Sequence, residues 1–102
     1  MSIYDTLRTV HIPVAYGKFT EPQKPPYMVY LGAGQDQFTA DNTYYKRRNS
    51  YDIEYYFIEK STADEDKLEK ILLDAGYKYD KSEDTYIEDE DIFVIYYTVW
   101  HI

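Results

Sequence analysis

From residue 51 the chain alternates. Tyr51, Ile53, Tyr55 and Phe57 fall on one side, with Asp52, Glu54, Tyr56 and Ile58 on the other. That period of two predicts a strand with one apolar and one mixed face. Residues 92 to 101 alternate as well, but with apolar groups on both sides: Ile92, Val94, Tyr96, Thr98 and Trp100 against Phe93, Ile95, Tyr97, Val99 and His101. Such a strand belongs at the centre of a sheet, or beneath a helix or a second subunit. Three weaker strand signals accompany these two. "PYMVYL" (26–31) stops at the turn-forming "GAGQD", residues 37–46 resume with an interruption expected at Asp41–Asn42, and "YKYDKSEDTYI" runs from 77 to 87 before a turn in "EDED". "RRN" at 47–49 offers a further turn.

A helical period occurs twice. Ile3, Leu7 and Val10 predict a short amphipathic helix at the start of the chain. Leu68, Ile71, Leu72 and Ala75 form a second stripe, opened by a capping box of Thr62 with Glu65 and closed by Gly76, where positive φ is wanted. This stripe is expected to pack on a sheet face holding Ile53, Tyr55, Val94 and Tyr96. Pro13, Gly17, Pro22, Pro25 and Pro26 predict an extended loop over 11–25, long for so small a protein and therefore a candidate interface. The order α-β-β-β-α-β-β predicts an α+β fold: an antiparallel sheet with helices on one face, in a single domain spanning 1–102.

Composition narrows the function classes. One hundred and two residues, 19% aromatic, are enough for one packed core and argue against disorder. The absence of cysteine removes disulfides, thiolate metal sites and cysteine nucleophiles. The longest apolar run, "IFVIYY" at 92–97, is too short to span a membrane, and "MSIYDTLRTV" lacks a signal-peptide pattern. A soluble intracellular protein is expected, with no membrane partner. With 19 acidic and 11 basic side chains the net charge is −8, which offers no general attraction for nucleic acid.

The charge is unevenly placed. Lys46, Arg47 and Arg48 form the basic cluster, beside the tyrosines of "YYKRRNSYDIEYYFIEK". Base stacking would need exposed aromatics among those cations; the alternation instead reads as a strand, with the cations in a solvated turn. Residues 80–91 crowd Asp80, Glu83, Asp84, Glu88, Asp89, Glu90 and Asp91 around Lys81 alone. Asp80, Ser82, Asp84, Glu88 and Asp91 match calcium-loop spacing, but Thr85 stands where that loop needs glycine, and a charged hairpin is the simpler reading. His11 and His101 have no metal-ligand spacing, and "GAG" at 32–34 precedes no helix. No catalytic residues and no cofactor are expected, and the chain reads as a non-enzyme. Fourteen tyrosines exceed what such a core holds, and tyrosine favours places with one dry and one wet end, as subunit interfaces have.

A resemblance carries the functional expectation. The pattern of Ala15, Tyr16, Gly17, Phe19, Pro25, Pro26, Tyr27 and Tyr30, then Tyr51, Ile53, Glu54, Tyr55 and Tyr56, followed by "YIEDEDIFVIYYTVW", resembles a family of small phage and prophage proteins. These are the tail terminator or tail completion proteins of long-tailed phages of Gram-positive bacteria, often called minor capsid or minor structural proteins. "KRRNS" departs from the pattern in being more basic. The resemblance implies a ring, usually hexameric, that caps the tail tube and joins the head connector, in the virion and, during assembly, in the host cytoplasm. Tyr16, Phe19, Pro25, Pro26, Tyr56 and Trp100 are the candidate interface residues. Glu83, Asp84, Glu88, Asp89, Glu90 and Asp91 are candidates to line the lumen or its rim. The alternative is a monomeric acidic binding protein, such as an inhibitor that mimics nucleic acid.

Overall fold

The computed structural model describes residues 2–40 and 44–101, and the fold it shows is α+β. The chain opens with α1 (Ile3–Arg8), whose free amides are capped by the Ser2 hydroxyl accepting from Asp5 N at 3.1 Å. Its expected stripe is buried, with Ile3, Leu7 and Val10 all in the core. The loop expected over 11–25 is interrupted. Val14–Tyr16 form a short strand, β1, which pairs in parallel with the next strand and is anchored by Met28 N to Pro13 O and Gly17 N to Tyr30 O. Three residues between Pro13 and Gly17 are too few for alternation to register.

Two long strands follow, β2 (Tyr27–Ala40) and β3 (Tyr44–Phe57), paired antiparallel. This corrects two expected turns. At "GAGQD" the strand continues, and the glycines absorb a register shift between Gly32 and Gly34. At "RRN" it also continues, with Arg47 opposite Gln37 and Arg48 opposite Asp36, so the basic cluster lies within a strand rather than a turn. The interruption expected at Asp41–Asn42 falls outside the described residues.

Helix α2 (Thr62–Asp74) then crosses to one face of the sheet. Its cap is Ser61, whose hydroxyl accepts from Asp64 N, and not Thr62 as expected. Gly76 closes the helix at a φ of 92°. The expected 77–87 strand is two strands, β4 (Lys78–Lys81) and β5 (Thr85–Ile87). Ser82 divides them: its amide donates to Tyr96 O and its hydroxyl accepts from Tyr96 N, both at 2.8 Å, so a side chain takes over one rung of the ladder. The turn expected in "EDED" is present, with Glu90 N reaching Ile87 O and Asp91 at a φ of 55°. Strand β6 (Ile92–His101) closes the sheet.

The sheet order is β1-β2-β3-β6-β4, with β5 also on β6, so β6 is central as its double-sided apolar pattern implies. Leu68 and Leu72 of α2 and Ile3 and Leu7 of α1 share one core with Met28, Ile53, Tyr55, Phe57, Ile95, Tyr97 and Val99. The expected face of β6 is therefore reversed. Ile95 and Tyr97 stand beside Tyr55 and Ile53 in the register and meet the helices, while Tyr96 lies on the opposite, outer face and is exposed. Val94 is on that outer face too, yet buried.

Candidate functional site

Neither helix covers the outer face of the sheet, and part of it carries an aromatic cleft. The β2–β3 register sets Tyr27 opposite Tyr56, and their rings stack at 4.9 Å and 22°. Phe19, from the loop after β1, meets Tyr27 edge-on at 5.5 Å. Together with Gly17–Gln23, Val29, Glu54 and Glu90 these residues enclose a cleft of about 440 Å³. Gly17 holds a φ of 75°, a left-handed conformation that suits glycine and starts the loop across the face.

The cleft is negative. Tyr56 donates its hydroxyl proton to Glu54, and burial, then that bond, push its phenol well above the ordinary range. Tyr27 is raised by burial first and then by the charges of Glu90 and Glu54. Aromatic faces beside carboxylates favour a cation, most of all a guanidinium.

The candidate interface residues are not brought together as one patch. Phe19 and Tyr56 meet through Tyr27. Pro25 lines the adjoining cleft with Pro22, Tyr27, Ile58 and Glu90, and Pro26 borders a third with Pro25, Phe57 and Lys60. Tyr16 is 65% exposed but lies at the other face, edge-on to Tyr30 at 5.3 Å. Trp100 sits near the far end of β6, opposite Ser50 and Lys78 and roughly 20 Å along the strand from Val94. Tyr27 and Glu54 complete the cleft, though neither stood out among the interface candidates. A pairing of Tyr27 with Tyr56 becomes visible only once the β2–β3 register is known.

The carboxylates proposed for a lumen also separate. All six are exposed, but Asp84 is held by Lys60 at 3.0 Å, Asp91 accepts from the Tyr86 hydroxyl at 2.6 Å, and Glu90 lines the aromatic cleft. Glu83, Glu88 and Asp89 remain at the turns on either side of β5. Among the described residues no group of three or more His, Cys, Asp or Glu is placed to hold a metal ion, and no helix is long and apolar enough to cross a membrane.

A second polar cluster lies on the helix side. Glu65 points inward, only 2% exposed, rather than back to its helix start. Lys60 straddles its carboxylate at 2.8 and 3.0 Å, and Lys81 of β4 reaches it at 2.9 Å. Lys81 also contacts Glu69 at 2.7 Å, which accepts from the hydroxyls of Tyr97 and Tyr79. The signal was present in the spacing: Glu65, Leu68, Glu69 and Leu72 share one helix face. Every charged member is paired, and the cluster joins α2 to β4 and β6.

Glu69 makes that cluster sensitive to acid. Burial would raise its carboxyl, but hydrogen bonds from Lys81, Tyr97 and Tyr79 outweigh it and hold the group below the usual range. A lowered carboxylate adds stability that is complete above its unfolded pKa of about 4.3 and is lost as pH falls through the folded value. The urea midpoint should therefore drop from pH 5 to 3, and less steeply in Glu69→Gln. Parallel curves for the two proteins would show that Glu69 contributes nothing to acid sensitivity.

The chain matches no protein-family model, and no curated protein is significantly similar to it.

Proposed function

We propose that the chain is a structural subunit of a phage tail–head junction, which assembles into a ring that ends the tail tube and meets the head connector. The observation that carries this reading is a fold with surfaces that call for a partner. Its sheet leaves the Phe19–Tyr27–Tyr56 cleft on a face without helices. Among the described residues, strands β2 and β3 run on beyond the Asn49–His101 pair as an arm, paired only with each other, and the molecule measures 50 Å along its long axis against 26 Å across. A two-stranded ribbon alone is marginally stable in water, so docking would complete it. The sequence pattern around Tyr16, Pro26 and Tyr56 supplies the tail-completion context.

Interrupting the reading frame in a phage or prophage that carries it tests the proposal. Filled heads and unjoined tails should accumulate, and supplying the intact chain should restore joined, infectious particles. Normal virions without the chain would overturn the reading and leave the acidic binding protein, which the exposed Glu83, Glu88 and Asp89 would then serve.

A further inference from the structure

We infer that the aromatic cleft of one copy receives the basic arm of a second copy, residues 44–48, so that the chain assembles head to tail. The inference rests on the reading of the chain as a self-assembling ring subunit and names the two surfaces that join.

Charge complementarity selects the occupant. The cleft sets the rings of Tyr27, Tyr56 and Phe19 beside the carboxylates of Glu54 and Glu90, with Lys18 the cation on its wall. In a chain of net charge −8 the basic cluster is Lys46, Arg47 and Arg48, and the strand pairing carries it on the arm. Asp36 stands opposite Arg48 there, which leaves the arm strand itself positive. Arginine suits such a cleft because a guanidinium stacks on aromatic rings and pairs with a carboxylate in the same pose.

Geometry excludes the chain's own cleft. Five residue pairs, from Asp36–Arg48 to Ala40–Tyr44, extend beyond the neighbouring strand, a reach of roughly 17 Å. Arg47 and Tyr56 lie on the same unbroken strand, nine residues and roughly 30 Å apart, so the arm leads away from its own cleft. Two different surfaces, one on each copy, make a heterologous contact, the kind that closes into a ring or continues as a filament.

The absence of cysteine makes thiol cross-linking clean. Three double variants, Glu90→Cys with Lys46→Cys, Arg47→Cys or Arg48→Cys, are treated with a short bifunctional thiol reagent and run on a denaturing gel. A ladder of covalent multimers is expected from at least one of them, with nothing above a dimer from any single-cysteine variant. In the Arg47→Cys pair, adding Lys46→Glu and Arg48→Glu should reduce the ladder by about tenfold, with an unchanged circular dichroism spectrum. Monomers or dimers alone from all three double variants overturn the arm–cleft contact. Rings of the unmodified chain in electron micrographs beside that result would overturn this contact and retain the ring. A ladder that climbs without a limit, with filaments in place of rings, would support the contact and overturn the ring.

Discussion

Leu72→Ala is expected to destabilise the protein by about 2–5 kcal/mol, the range for truncating a buried leucine in a core that closes only partly around the gap. Leu72 is fully buried where α2 meets Ile53, Tyr55, Ile95 and Tyr97. The neighbouring Leu73 provides the control, because it is 55% exposed on the same helix. Leu73→Ala should change stability by no more than about 0.5 kcal/mol. Chemical denaturation of both variants measures the difference. Equal losses would mean that the helix is rotated from the orientation described here.

Raising the pH should unfold the protein cooperatively, because several groups are held in the form that alkali removes. Burial, then the charges of Asp64 and Glu65, push the Tyr55 phenol up to about 12. Tyr97 is raised further, by burial and by its hydrogen bond to Glu69. Burial would lower Lys81, but hydrogen bonds to Glu69 and Glu65 outweigh it and raise the ammonium. A group with a raised folded pKa adds stability that is complete below its unfolded value, about 10 for tyrosine, and lost as pH climbs through the folded one. Tyr55 alone couples on the order of 3 kcal/mol to folding across that window. Phenolate absorbance should rise in two steps. The later step, in which Tyr55 and Tyr97 ionise, should coincide with loss of the circular dichroism signal. Tyr55→Phe should shrink the second step. A single step near pH 10 covering all fourteen tyrosines, with the fold intact, would contradict the burial of Tyr55 and Tyr97.

Some of this architecture follows from local pattern, and the helices show why. Leu68 and Leu72 recur at helical spacing, so one face of α2 had to be buried whatever lay beneath it. Gly76 ends that helix because a left-handed residue is least costly there as glycine. The alternation in 92–101, apolar on both sides, predicted a strand inside the sheet rather than at its edge, and β6 lies between β3 and β4.

Where two local signals compete, long-range pairing decides. "GAGQD" and "RRN" have the composition of turns, but thirteen cross-strand pairs between β2 and β3 carry the strands through both. Alternation also states which residues share a face without stating which face is inward. With apolar groups on both sides of β6, the helices settled it, taking Ile95 and Tyr97 and leaving Tyr96 outside. Glu65 could cap its own helix or turn inward, and Lys60 and Lys81, distant from each other in sequence, drew it inward. The cleft shows the same limit most clearly. Tyrosine abundance marked an interface-forming surface, but Phe19, Tyr27 and Tyr56 come from a loop and two strands, and only the register that sets Tyr27 against Tyr56 makes them one site.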